Sequence, residues 1–171
     1  MKNIVLIGMP GAGKSTIGVI LAKVLGFQFI DTDLVIQERE NRLLKDIINE
    51  EGLDGFIAIE DKVNRSIHAI KSVISPGGSV VYGKNAMEHF REIGIVVYIK
   101  LSYETVKNRL VNIKSRGVVF KKGQDLKSLY EERCPLYEKY AHIVIDGEDM
   151  DIEELMESIK DALEQFQKNE I

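Results

Sequence analysis

The chain has 171 residues, 44% of them hydrophobic, with a net charge of −4 and a single cysteine. That is one domain of ordinary size with enough apolar side chains to fill a core, and its acidic balance argues against nonspecific binding of nucleic acid. No apolar run approaches membrane-spanning length, so a cytosolic protein is expected, with Cys134 as a packing residue that has no internal disulfide partner.

Taken in chain order, the first element is an apolar run at 3–7 suited to a buried strand. It leads into Gly8-Met9-Pro10-Gly11-Ala12-Gly13-Lys14-Ser15-Thr16, which fits G-x-x-x-x-G-K-[ST] in full. Ile17, Ile20, Leu21, Val24 and Leu25 then recur at helical spacing, predicting a helix over 14–25. In a strand–loop–helix of this kind the backbone N–H groups converge on phosphate oxygens, and the helix contributes the positive end of its dipole. Gly11, Ala12, Gly13, Lys14, Ser15 and Thr16 are therefore the expected contacts to a nucleoside triphosphate. Lys14 would reach the β- and γ-phosphates, and the Ser15 hydroxyl would ligate Mg²⁺.

A second strand at 28–30 runs into Asp31-Thr32-Asp33, two carboxylates two residues apart at the strand's carboxyl end. One can hold the water shell of Mg²⁺ while the other accepts a proton from an attacking hydroxyl. Alternatively, Asp33 is the N-cap of the next helix, and the residues alone leave both readings open. Helical periodicity follows at 33–50, with a break, and at 53–71. Beyond it, strands at 73–75, 95–100 and 142–145 alternate with helices at 84–92, 102–112, 125–139 and 151–168.

This alternation predicts an α/β fold in three α/β/α layers, with a central five-stranded parallel sheet and the ligand at its carboxyl edge. No repeat divides the chain, so 1–171 reads as a single domain. The stretch 112–123, rich in Lys, Arg and Gly, reads as a mobile lid over the site, and the tail from Gln165 as frayed. A monomer is the default for this size, and His68, His89 and His142 share no metal-ligand spacing.

The phosphate loop followed at this distance by Phe29-Ile30-Asp31-Thr32-Asp33 resembles the shikimate kinase family. The likeness continues through Glu51-Gly52, Phe56, Glu60, Gly77-Gly78, Gly94 to Tyr98, Arg109-Leu110, Arg116 and Arg133-Cys134-Pro135-Leu136-Tyr137. It covers about residues 1–146. The resemblance implies a nucleoside-monophosphate-kinase-like P-loop enzyme that uses ATP and Mg²⁺, with its substrate region at about 33–62. It implies that Asp33 contacts the substrate hydroxyls and assists the nucleophile, Asp31 supports the metal, and Arg133 binds a substrate carboxylate. It further implies that Arg116 approaches the transferring phosphate from the lid, Arg109 packs against adenine, and Gly77 and Gly78 touch the substrate. Arg133 also has a plain alternative in surface ion pairs with Glu131, Glu132 or Glu138.

The chain departs from the family pattern in the substrate half. Ile57 stands where the family has an arginine that grips the substrate carboxylate, which leaves Glu60 to pair with Lys62 or Arg65, lie in solvent, or meet a different substrate. Ser75-Pro76-Gly77-Gly78-Ser79 replaces a threonine and three glycines. There Ser79 would be strained if its φ were positive, or relaxed with its hydroxyl free for a ligand. The expected activity is transfer of the γ-phosphate of MgATP to the hydroxyl of a small carboxylated acceptor, shikimate first, with no nucleic-acid or membrane partner. The alternatives are another hydroxylated metabolite as acceptor, or a non-catalytic ATP-binding regulatory protein.

Overall fold

The computed structural model describes residues 2–111 and 120–169. Five strands, β1 (Asn3–Ile7), β2 (Gln28–Asp31), β3 (Ser72–Ser75), β4 (Gly94–Lys100) and β5 (Ile143–Asp146), form one sheet in the order β2-β3-β1-β4-β5. All pairings are parallel. The central strands β1, β3 and β4 are buried almost throughout, which suits the apolar residues at their centres, while the edge strands β2 and β5 are only partly buried.

The helices are α1 (Lys14–Leu25), α2 (Thr32–Glu40), α3 (Leu44–Arg65), α4 (Lys84–Ile93), α5 (Tyr103–Val111), α6 (Leu126–Tyr140) and α7 (Ile152–Asn169). The break expected within 33–50 falls at Asn41, whose left-handed backbone (φ 51) ends α2. Arg42 in that break pairs with Glu40 of α2 and with Glu50 and Glu51 of α3. Helix α3 kinks at Gly52 (φ 71), and it stops at Arg65, short of the expected 71. The Ser66 hydroxyl donates to the Val63 carbonyl there, one of the local bonds by which serine competes with the helix ladder.

A short 3-10 helix, Gly78–Tyr82, was not expected, because two buried valines, Val80 and Val81, are too few to show a period. The tail expected to fray is helical as far as Asn169. Phe166 packs against the core and against the His142 ring, 5.7 Å between centroids. Cys134 is half-buried, and burial pushes its thiol pKa up, as suits a packing residue. Among the described residues, no helix is long and apolar enough to cross a membrane.

Candidate active site

The carboxyl ends of β1, β2 and β3 lie side by side, and each releases a piece of the site: the phosphate loop, Asp31 with Asp33, and Ser75. Gly13 caps α1 with φ 87, a conformation that costs a residue with a Cβ about 1 kcal/mol or more, so the loop's sharp entry into the helix requires glycine. The Lys14 ammonium is folded into the loop, donating to the carbonyls of Gly8 and Met9 at 2.9 Å each. Burial pushes its pKa down to about 8, opposed by the charges of Asp33 and Asp31.

Asp31 is the last residue of β2 and also the N-cap of α2, its Oδ1 accepting the Asp33 backbone N–H at 3.0 Å. The cap is thus Asp31, and Asp33 sits in the first helical turn with its carboxylate free of that duty. Burial pushes Asp33 up to about 6; Asp31 adds to the rise and Lys14 opposes it. At neutral pH Asp33 is therefore mostly ionised and able to take a proton. Ser75 pairs in register with Asp31, and its Oγ lies 3.5 Å from Ser15 Oγ. Ser15, Ser75 and Asp31 all line one cleft, and their oxygens are of the hard type that suits Mg²⁺.

Arg133 reaches the same place from α6. It is 1% exposed, which rules out the surface ion-pair reading, and its guanidinium lies over the Tyr82 ring, 5.4 Å from the centroid. Its Nε donates to the Tyr82 hydroxyl at 3.4 Å. Tyr137, one helical turn on, donates to the Gly78 carbonyl at 2.6 Å, tying α6 to the glycine turn. A Cβ on Gly78 would stand 2.9 Å from Pro10 Cδ and 3.0 Å from Arg133 Nη1, so the absence of a side chain there lets the turn slip between phosphate loop and arginine.

These groups line one cleft of about 630 Å³. Its lining includes Gly11, Gly13, Lys14, Ser15 and Thr16 of the phosphate loop together with Asp31, Asp33, Gly77, Gly78 and Arg133. Ala12 is buried and is not among the residues that line this cleft, and its backbone N–H donates to the Met9 carbonyl at 3.1 Å. Arg109 stands at the loop's outer side, donating from Nη1 to the Gly11 carbonyl at 3.1 Å. Arg116 and most of the expected lid lie outside the described residues.

Two features of the cleft were not anticipated. Ser75 gave no signal of its own, because its relation to Asp31 and Ser15 exists only through strand register. Glu60 is 2% exposed and meets neither Lys62 nor Arg65: it accepts from the Ser79 hydroxyl at 2.7 Å. Ser79 belongs to the 3-10 helix and has no positive φ, so it is unstrained, but its hydroxyl is engaged by Glu60. Burial pushes Glu60 up to about 8.

A parallel sheet ending in a phosphate loop, with a buried arginine and a free carboxylate facing that loop, defines a P-loop kinase acting on a small molecule. The shikimate kinase family model matches residues 10–164. The chain is 35% identical over 160 residues to the shikimate kinase of Sulfurihydrogenibium sp. (strain YO3AOP1), covering 93% of this chain and 96% of the relative. It is 40% identical over 150 residues to that of Clostridium botulinum (strain ATCC 19397 / Type A), covering 85% and 87%. Among solved structures, shikimate kinase from Acinetobacter baumannii in complex with shikimate superposes with a TM-score of 0.85 at 31% identity, covering 100% of this chain and 96% of that one. The chain belongs to the shikimate kinase family, ATP-using phosphotransferases that act on a hydroxyl group.

Proposed function

We propose that this chain phosphorylates shikimate, moving the γ-phosphate of MgATP to a ring hydroxyl to give shikimate 3-phosphate. The observation that carries the reading is the convergence of Lys14, Asp33 and Arg133 on one cleft: the lysine of the phosphate loop, a carboxylate and a buried arginine. The hydroxyl oxygen attacks the γ-phosphorus, the bond from that phosphorus to the bridging β–γ oxygen breaks, and ADP leaves with the electron pair. Asp33 takes the hydroxyl proton.

Phosphoryl transfer asks little covalent chemistry of the protein, so positioning and charge carry most of the rate. The loop N–H groups of Gly11, Gly13, Lys14, Ser15 and Thr16 hold the phosphates, Lys14 meets the β- and γ-oxygens, and Arg109 lies along the adenine. Arg133 takes the acceptor carboxylate, while Gly77 and Gly78 border the ring. Ser15 and Asp31 would hold Mg²⁺, which neutralises phosphate charge. Arg116 would complete the charge neutralisation from the lid. The enzyme acts as a monomer in the cytosol.

The test is ADP release from MgATP with shikimate varied from micromolar to millimolar. Saturable, shikimate-dependent release supports the reading. Release that depends on a different hydroxylated metabolite moves the acceptor, and ATP binding with no acceptor-dependent release favours a regulatory role.

A further inference from the structure

Among the described residues, the buried side-chain atoms without a hydrogen-bond partner are Thr32 Oγ1, Glu60 Oε2 and both amide atoms of Asn64. Of these three residues only Glu60 lines the cleft. Its two oxygens have different circumstances. Oε1 is held by the Ser79 hydroxyl, and Oε2 faces Gly77, where an added Cβ would stand 3.3 Å from it and 3.0 Å from Asp33 Oδ1. A glycine therefore leaves room in front of both carboxyl groups. A buried polar atom left unpaired costs free energy, and one aimed at a ligand cleft recovers that cost when the ligand supplies the partner.

We infer that Glu60, pinned through Oε1 by Ser79, is a specificity-determining contact that presents Oε2 to an oxygen atom of the acceptor beside Arg133. The inference rests on the kinase reading above and adds to it the chemistry of the acceptor head. The groups facing Glu60 are Asp33 from α2, Arg133 from α6 and Asp61 on its own helix. On the 3-10 helix, Ser79 is its hydrogen-bond partner and Tyr82 is turned to Glu132 and Arg133; on α4, Lys84 pairs with Glu88 and His89 with the Ile67 carbonyl.

Burial outweighs the single cation, so Glu60 keeps its proton until about pH 8. In that form, with Oε1 accepting from Ser79, Oε2 carries the O–H and donates it. The favoured partner is a carboxylate or hydroxyl oxygen, which can accept that O–H, whereas an ammonium group has no lone pair to accept it and would face the Arg133 cation. Above about pH 8 the donor is lost and a second negative charge confronts an anionic acceptor.

The experiment measures KM for shikimate and for MgATP, with kcat, across neutral to alkaline pH in the wild type, Glu60→Gln and Glu60→Ala. Glu60→Ala should raise the shikimate KM about 10-fold at neutral pH, the scale of one hydrogen bond to a charged group, with the MgATP KM unchanged. Glu60→Gln keeps an acceptor for Ser79 and an N–H for the ligand. It should restore most of that loss and flatten the alkaline rise in shikimate KM, even though Lys14 titrates in the same range and moves the MgATP KM. An unchanged shikimate KM in Glu60→Ala, or equal rises for shikimate and MgATP, overturns the inference.

If the wild type fails to turn over shikimate, the kinase reading with this acceptor fails on its own. The inference is then read from infrared spectra of protein labelled with carboxyl-¹³C glutamate. Shikimate must shift a protonated-carboxyl band that Glu60→Gln lacks, and no shift overturns it.

Discussion

The Asp33 backbone N–H donates to Asp31 Oδ1 at 3.0 Å, so one carboxylate caps the helix that carries the other. The two acids therefore separate under mutation. Asp33→Asn keeps the shape and removes the proton acceptor, and should lower kcat about 100-fold or more while ATP affinity stays within about threefold. Asp31→Asn keeps a good cap but weakens a metal ligand, so the Mg²⁺ concentration for half-maximal rate should rise with little loss of stability. Asp31→Ala should cost about 1 kcal/mol of stability as well. Rates at varied Mg²⁺ and unfolding curves distinguish the three variants.

Arg133→Lys keeps the charge and removes the planar fork and its stacking on Tyr82. The shikimate KM should rise about 10-fold or more with the MgATP KM unchanged. Equal rises in both would mean that Arg133 supports the whole cleft rather than the acceptor.

Gly78→Ala places a methyl group 2.9 Å from Pro10 Cδ and 3.0 Å from Arg133 Nη1. Overpacking of this kind costs about 1–3 kcal/mol, and the displaced arginine should raise the acceptor KM. Thermal unfolding and steady-state kinetics read the two effects, and a variant with wild-type values in both would contradict the close fit of Gly78 between Pro10 and Arg133.

Glu60 also sets a pH dependence of stability. Its pKa rises from 4.5 in the unfolded chain to about 8 in the fold, so between those values the folded chain holds a proton that the unfolded chain has lost. Its contribution is fully present below about pH 4.5 and is lost as pH rises through about 8, at up to about 1.4 kcal/mol per pH unit. Glu60→Gln removes this slope. Urea unfolding from about pH 5 to about pH 8 should therefore show Glu60→Gln gaining on the wild type as pH rises. A pH-independent difference would contradict the buried, proton-holding Glu60.

Much of this architecture is legible in the sequence because its signals are local. The strand candidates are apolar runs flanked by turns, and the phosphate loop carries its function in nine consecutive residues, Gly8 to Thr16. What was not legible depends on residues that meet only through the fold. Ser79 and Glu60 are 19 residues apart, and no periodicity joins them. Arg133 sits between acidic neighbours that by themselves suggest a surface, so only the family resemblance places it in the site; Tyr82 and the glycine turn bury it. The Ser75 hydroxyl enters the site only because β3 pairs with β2 in one register. Ile57 is half-buried and lines no part of the cleft. Glu60, Ser79 and Arg133 line it instead.

The most direct test of the account is phosphorus NMR of a reaction containing the protein, MgATP and shikimate. The γ-phosphate resonance should decline as one phosphate monoester resonance grows in step with ADP, with little inorganic phosphate, and Asp33→Asn should halt that growth while still binding ATP. ATP binding with no monoester, or γ-phosphate released only as inorganic phosphate, would contradict phosphoryl transfer to shikimate in this cleft.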